Sequence, residues 1–256
     1  SHWDASLRGE VEWHEGTICY KLTITSEVPT KLAVVFSSIH PEYNSPSLWR
    51  YFAPSYRHLN GLTAGTTAVL RIGDFGGVVG SFYMNTNDEP DNMNAVSRLV
   101  EAVRLRYGLG RGDVCLVGSS KGGTAALAHG LAMAVPFVSV DPILDDSYYE
   151  IDRSDAHFTG SPVFVESKAD MFARLRNGCG GTSGMHGVVF TAPGSRQSEF
   201  IQPYVESIDR PLLLAISADP AIARHEGVAA AVLGPTVAAV NSLLLGWELP
   251  TGVCVV

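Results

Sequence analysis

Residues 114–123 read Val-Cys-Leu-Val-Gly-Ser-Ser-Lys-Gly-Gly, and this stretch decides the fold. The apolar run at its start predicts a short buried strand. Gly118 and Gly122 then frame a Gly-x-Ser-x-Gly pattern, and the small residues that follow predict a helix over 122–134. A strand, a sharp glycine-framed turn and a helix form the setting in which a serine is held above the edge of a sheet.

Ser120 is the candidate nucleophile within this turn. The pattern alone is weak evidence, because chains rich in glycine and serine contain it by chance. The buried strand before it and the helix after it supply the context that the chemistry requires. The backbone N–H of Lys121 would then face a developing oxyanion, aided by the helix N-terminus. A turn that merely holds an anion is the simpler interpretation, whereas a dinucleotide site is excluded because no Gly-x-Gly-x-x-Gly follows a strand.

The rest of the chain alternates between short apolar runs and helical periodicity. The predicted strands are 31–36, 67–72, 137–140, 188–190 and 212–216, and the predicted helices lie near 94–107, 168–176, 200–208 and 228–244. Alternating residues at 10–13 and 19–24, with Gly16 between them, predict an antiparallel hairpin. This succession predicts an α/β fold with a mostly parallel central sheet and helices on both faces.

Length and composition narrow the classes of protein. The chain has 256 residues, 46% of them hydrophobic, and a formal net charge of −8. We expect one domain over 1–256, with a small cap or lid segment around 142–185. The negative charge argues against a nucleic-acid partner, and the apolar runs are too short for a membrane span.

The cysteines are scattered and form no Cys-x-x-Cys pair. They are Cys19, Cys115, Cys179 and Cys254. This spacing favours neither a zinc site nor a disulfide framework, and it indicates a reducing, cytoplasmic location. We predict no metal and no cofactor.

A serine nucleophile needs an imidazole that takes its proton and returns it to the leaving group. The histidine of this arrangement follows the last strand, which makes His225 the expected base. The competing histidines are His14, His40, His58, His129, His157 and His186. The first three precede Ser120 and are on the wrong side of it in chain order.

The acid of the expected triad is less obvious. Its usual place follows the penultimate strand, but residues 192–199 hold no aspartate there, and only Glu199 could serve. Asp141, directly after a predicted strand, is the other position from which an acid reaches the histidine, although an Asp-Pro pair also suits a simple turn. Asp219 is too local to His225 to orient its ring. We predict Asp141 ahead of Glu199, with a Ser-His dyad as the third arrangement.

The second oxyanion donor normally comes from the loop after an early strand. Here the backbone N–H of Ser38 or Ile39 occupies that position, and Ser38 is the candidate. An aromatic-rich insertion follows, comprising Tyr43, Trp49, Tyr51, Phe52, Tyr56 and His58. These side chains suit either a pocket for an acyl or sugar group or ordinary core.

Three segments in order resemble a known family. They are Val-Val-Phe-Ser-Ser at 34–38, Ile-Gly-Asp at 72–74 with Gly-Ser-Phe-Tyr at 80–83, and Ser-Lys-Gly-Gly at 120–123. Together they are similar to the α/β-hydrolase-like proteins of the XcbB/CpsF capsular polysaccharide biosynthesis group. The glycan O-acetylating component of the accessory secretion system is similar more distantly. The resemblance is strongest over residues 30–130.

The resemblance implies an α/β-hydrolase fold and acyl chemistry on a glycan, either O-acetyl transfer or its reversal. Ser120 and His225 match the family's pattern. The chain departs from it after Phe190, where Gly-Ser-Arg-Gln at 194–197 replaces the expected acid.

The residues thus predict a serine-dependent acyl-transfer enzyme that works through an acyl-enzyme on Ser120. It would be an ester or thioester hydrolase or an O-acyltransferase, acting on a small-molecule or glycan acyl substrate. A peptidase or cyclase would use the same residues. The alternative from another class is a catalytically silent hydrolase-fold protein that binds a glycan or a partner enzyme in an assembly system.

Overall fold

The computed structural model describes residues 8–42, 44–53, 55–77, 79–152, 154–156, 163–178 and 186–256. Nine strands form one sheet within these residues. They are β1 Glu12–His14, β2 Ile18–Thr23, β3 Lys31–Phe36, β4 Thr67–Ile72, β5 Val114–Ser119, β6 Phe137–Val140, β7 Gly187–Thr191, β8 Leu212–Ile216 and β9 Gly252–Val255.

The strands lie in the order β1-β2-β4-β3-β5-β6-β7-β8-β9. β2 pairs antiparallel with both β1 and β4, and every other neighbouring pair is parallel. The predicted mostly parallel sheet with an N-terminal antiparallel hairpin is therefore confirmed. The connection from β3 leads to β4 on one side, and the chain then crosses to β5 on the other side of β3. This reversal of the strand order opens a crevice at the carboxyl ends of β3 and β5.

Six helices of seven or more residues surround the sheet in the described part of the chain. They are α1 Asn92–Arg106, α2 Lys121–Met133, α3 Lys168–Gly178, α4 Ser198–Glu206, α5 His225–Ala231 and α6 Leu233–Leu244. Short helical turns also occur at Leu48–Phe52, Leu59–Leu62, Arg111–Asp113 and Tyr148–Asp152. Apart from the helix predicted at 228–244, the predicted elements are present, with bounds shifted by about two residues, as expected at frayed ends.

Successive residues of the strands face two separate cores. In β3, Leu32 and Val34 contact the core covered by α1 to α4, whereas Ala33 and Val35 contact the core covered by α5 and α6. All four of these side chains are buried. Burial on both faces explains why the central strands are continuous apolar runs rather than alternating ones.

The single helix predicted at 228–244 is wrong. The chain forms two helices there, bent by 61° at the break, and Val232 between them has φ −97° and ψ 16°. Pro235 supplies the reason, because it has no N–H to donate to the carbonyl of Ala231 and its ring would clash there. The proline is instead accommodated in the first turn of α6.

No single helix in the described ranges is long and apolar enough to cross a membrane. Among the helices of the described residues, α5 and α6 taken together pass that test of length and composition, despite the bend between them. Their apolar side chains include Val228, Val240 and Leu244, which are buried against the sheet.

The segment expected to form a cap is partly described. Residues 157–162 and 179–185 lie outside the described residues. In α3, Met171 and Phe172 are buried in the same core as the strands. A lid role for residues 142–185, and a single domain over the whole chain, stay predictions.

Candidate active site

Ser120 lies on the sharp turn between β5 and α2, at the carboxyl edge of the sheet. Its φ of 54° and ψ of −120° are strained for an L-residue, at a cost of about 1–3 kcal/mol. The neighbouring glycines make the turn possible. A Cβ on Gly118 would lie 2.1 Å from the Gly122 carbonyl oxygen, and one on Gly122 would lie 2.3 Å from that of Phe36. The elbow predicted from the sequence is therefore present.

Ser120, His225 and Asp141 form a continuous chain of hydrogen bonds. Oγ of Ser120 lies 2.7 Å from Nε2 of His225, and Nδ1 of His225 lies 2.7 Å from Oδ2 of Asp141. Because an ionised carboxylate only accepts hydrogen bonds, the ring proton belongs on Nδ1, and Nε2 is left to accept the serine proton. The Asp141 side chain is 2% exposed and that of His225 is 19% exposed. This geometry suits general-base activation of a serine.

Asp141 is held by the very loop that lacks an acid. The hydroxyl of Thr191 donates to its Oδ1 at 2.7 Å, and the hydroxyl of Ser195 donates to its Oδ2 at 2.6 Å. Thr191 is the last residue of β7, and Ser195 lies in the loop after it, where the resembling family has its acid. The hydroxyls therefore orient a carboxylate supplied by β6, and Asp141 itself adopts a φ of 45°.

The other acids considered lie elsewhere. Glu199 is exposed in the first turn of α4. Asp219 is also exposed, and its Oδ1 accepts the N–H of Ala221 at 2.9 Å in a local turn. Of the three candidates, the structure brings Asp141 to the His225 ring.

Ser38 lies beside the elbow because β3 and β5 are neighbours. Phe36 pairs with Gly118, so Ser38 and Ser120 stand two residues beyond the same rung of the sheet. The N–H of Ser38 has a long 3.4 Å contact with Oγ of Ser55. Its hydroxyl lies 2.7 Å from that of Ser119. As the first residue of α2, Lys121 has an N–H without a partner inside the helix.

Among the competing histidines, His129 is a core residue. It is 1% exposed, its ring stacks on Phe36, and its Nε2 lies 3.2 Å from the carbonyl oxygen of Tyr83. Burial lowers the pKa of His129 to about 4. His157 lies outside the described residues.

The aromatic insertion contributes partly to core. Phe52 packs with Leu48 and Cys19 in a small cluster, whereas Trp49 is 40% exposed. Tyr43 lies outside the described residues. A pocket wall made of these side chains stays a prediction.

A cavity of about 230 Å³ opens beside the loop after β4, and Ser120 and His225 are not among its lining residues. Its walls include Thr17, Asp74, Phe75, Ser81, Asp88 and Asn92. Among the residues that the structure describes, no three His, Cys, Asp or Glu side chains are grouped as metal ligands.

Two groups of residues near the site were not predicted. Thr191 and Ser195 bind Asp141, and the missing acid in their loop was the available signal. Asp74 and Tyr83 contact the Lys121 side chain and the N–H of Ser37 respectively. Their only signal was their position in the segments that carry the family resemblance.

No protein-family model matches the sequence, and no curated protein matches it either. Solved structures do resemble the fold. The fluorophosphonate-binding serine hydrolase FphF from Staphylococcus aureus shares 14% identity at a TM-score of 0.62, over 90% of this chain and 96% of that one. An esterase from Rhizomucor miehei shares 12% identity at a TM-score of 0.60, over 93% of this chain and 83% of that one.

A third similar structure is the glycosylation-associated Gap123 complex from Streptococcus agalactiae. It shares 12% identity at a TM-score of 0.59, over 89% of this chain. The match spans only 44% of the Gap123 chain. With strand order, elbow and neighbours in agreement, this chain has the α/β-hydrolase fold. Identities of 12–14% establish that fold, and the activity has to be argued from the site.

Proposed function

We propose that this protein is a serine-dependent acyl-transfer enzyme that works through an acyl-enzyme on Ser120. The observation that carries the proposal is the chain of two 2.7 Å hydrogen bonds from Ser120 through His225 to Asp141. Three side chains from separate segments meet at the carboxyl edge of a parallel sheet, in the crevice where such folds bind ligands. The strained backbone of Ser120 supports the same conclusion, because strain of this kind clusters at functional sites.

In the first half of the reaction, Oγ of Ser120 attacks the acyl carbon of an ester or thioester while Nε2 of His225 takes its proton. The N–H groups of Lys121 and Ser38 hold the oxyanion, for which Ser38 gives up its long contact with Ser55. The tetrahedral intermediate then collapses. The alcohol or thiol leaves with the proton from His225, and the acyl group remains on Ser120.

In the second half, His225 deprotonates an acceptor that attacks the acyl-enzyme and regenerates Ser120. Water as the acceptor gives a hydrolase, whereas a sugar hydroxyl gives an O-acyltransferase. A glycan acyl substrate is favoured by the segment resemblance, and the fold similarity to a glycosylation-associated protein agrees with it. Neither half-reaction requires a cofactor.

A fluorophosphonate probe tests the proposal directly, because it phosphonylates an activated serine. We expect intact-mass labelling of the wild type, mapped to the peptide that contains Ser120, and none for Ser120→Ala or His225→Ala. His186→Ala is the matched histidine control and should label like the wild type. A folded wild type that takes up no probe would overturn the proposal.

In that case, the function to pursue is a silent hydrolase-fold protein that binds a glycan or partner enzyme. The likeness to the Gap123 complex is the observation that favours it. The cytoplasmic location stays part of the proposal. Cys19, Cys115 and Cys254 are free thiols, and burial raises the pKa of Cys19 to about 12.

A further inference from the structure

The side chain of Lys121 forms a buried ion pair next to the elbow. Its Nζ lies 2.8 Å from Oδ2 of Asp74 and donates to the carbonyl oxygen of Val79 at 2.8 Å. The two charged side chains are 2% and 1% exposed. Removing two charges from water is costly, so they require close pairing and further hydrogen bonds. The proposed reaction uses the backbone N–H of Lys121 and gives this side chain no role.

Asp74 supplies those further bonds and gathers a strained turn around itself. Its carboxylate accepts the N–H groups of Ser81, Phe82 and Tyr83 at 3.0, 3.0 and 3.2 Å, and the Ser81 hydroxyl at 2.6 Å. Phe82 and Tyr83 have φ values of 55° and 57°. Two successive L-residues in this conformation persist only where surrounding contacts hold them.

Gly80 makes the close approach possible. It has φ +99°, and a Cβ there would lie 2.2 Å from Oδ2 of Asp74 and 2.7 Å from Nζ of Lys121. The backbone of the turn thus lies directly against the ion pair, and position 80 has no room for a side chain.

Tyr83 connects the turn around Asp74 with the end of β3, on the other side of the elbow. Its hydroxyl accepts the N–H of Ser37 at 2.7 Å and donates to the carbonyl oxygen of Ile72 at 2.9 Å. Ser37 immediately precedes Ser38, the candidate second oxyanion donor. Tyr83 is 1% exposed, and its ring packs against Phe36 with centroids 4.8 Å apart. The Tyr83 hydroxyl therefore ties the residue before Ser38 to the carboxyl end of β4.

We propose that Lys121, Asp74 and Tyr83 are positioning residues that set the two oxyanion donors relative to each other. The backbone of Lys121 supplies the first donor. The side chain of Lys121 pairs with Asp74, which holds the strained turn and thereby positions the Tyr83 hydroxyl. That hydroxyl binds the N–H of Ser37 and so sets the position of the N–H of Ser38. This inference rests on the proposed function, and it assigns the network to the bond-forming step rather than to substrate binding.

Tyr83→Phe is the decisive variant, because it removes one oxygen atom and keeps the ring in the core. We expect its maximal rate of phosphonylation by a fluorophosphonate, kinact, to fall by about tenfold or more, with the half-saturating concentration KI within about twofold of wild type. Tyr204→Phe is the matched control, because the Tyr204 hydroxyl also donates to a backbone carbonyl, that of Phe172, at 3.0 Å. Its kinact should equal that of the wild type.

The neutral double variant Lys121→Met/Asp74→Asn tests the ion pair without leaving a lone buried charge. It should lower kinact at unchanged KI, as Tyr83→Phe does. If the wild type is labelled while Tyr83→Phe matches it in kinact and loses only thermal stability, the network is merely structural and the inference fails. If the wild type itself is not labelled, the proposed function fails, and the inference fails with it.

Discussion

Asp141 occupies the place of the acid beside His225, although the usual position for that acid, the loop after β7, holds no aspartate. The hydroxyls of Thr191, at the end of β7, and of Ser195, in the loop, donate to the carboxylate of Asp141 directly after β6. A carboxylate that accepts several short hydrogen bonds is oriented firmly, and this orientation selects the tautomer of His225.

We therefore predict that Asp141→Asn lowers the rate of fluorophosphonate labelling by about 10⁴-fold, since the amide favours the wrong ring tautomer. Circular dichroism should confirm that the variant is folded. Glu199→Gln is the control, because Glu199 is exposed. If the Glu199 variant lost its labelling while Asp141→Asn kept it, the assignment of the acid would be reversed.

A second single residue, His129, makes the free energy of unfolding depend on pH. Burial lowers its pKa to about 4, against the opposing effects of its contact with the Tyr83 carbonyl and the charge of Asp74. An exposed histidine titrates near pH 6.5, so between about pH 6.5 and 4 the unfolded chain binds a proton that the folded protein excludes. The free energy of unfolding should fall as the pH is lowered through this window, by at most about 3 kcal/mol from this group.

Urea unfolding at about pH 7.5 and about pH 5 measures this loss. His129→Gln should reduce the difference between the two pH values relative to the wild type, because the titrating group is gone. An equal difference in both proteins would show that other groups cause the acid sensitivity.

At the scale of elements, the pair β5 and α2 is the feature on which the site depends. Twelve of the 13 residues of α2 are buried, and its glycines let it contact β3 and β6 at backbone distance. A helix this closely packed has no freedom to shift, so the elbow keeps Ser120 in one place.

Gly122→Ala should therefore destabilise the protein by about 3 kcal/mol or more, since the added Cβ meets the rigid Phe36 backbone. Chemical denaturation measures the loss. Gly112→Ala is the matched control, because a Cβ there meets nothing within 4 Å, and it should change stability by less than about 0.5 kcal/mol. Equal midpoints for the two variants would contradict the close approach.

At the scale of the whole molecule, Lys168 at the start of α3 connects this helix to the loop after β6 by an ion pair and to the main core by its contact with Phe82. Nζ of Lys168 lies 2.8 Å from Oδ1 of Asp146 and 3.9 Å from the centroid of the Phe82 ring. Desolvation lowers the pKa of Lys168 and raises that of Asp146, and their mutual attraction opposes both shifts. Both residues of the pair belong to the expected cap segment, so the pair joins two parts of it, and the contact with the Phe82 ring connects them to the main core.

Asp146→Asn should cost about 3–5 kcal/mol of stability, because it leaves the ammonium buried without its partner. Adding Lys168→Met to this variant should recover more than half of the loss. Glu166→Gln, which breaks the more exposed ion pair with Arg174 on the same helix, should change stability by less than about 1 kcal/mol. Thermal and urea unfolding of the four proteins, wild type included, provide the comparison. A double variant that is no more stable than Asp146→Asn would contradict the coupling.

The sequence by itself determined the class of the fold and the elbow, and it proposed Ser120, His225, Lys121 and Ser38 as site residues, with Asp141 ahead of Glu199 as the acid. Apolar runs, helical periodicity and glycine spacing are local signals, and each depends on residues that are neighbours in the chain. Ser120 was predicted from ten consecutive residues, and His225 was predicted from its position after β8, the last strand that the sequence predicts. The family resemblance pointed to the same fold.

Only the tertiary structure decided which acid faces His225, and it alone revealed the network around Lys121. Asp141 meets Thr191 across 50 residues and His225 across 84, and Tyr83 meets Ser37 across 46. Such contacts depend on which strands lie side by side and on the direction in which each strand exit turns. Those features arise from the packing of the whole sheet, so no local pattern in the chain encodes them.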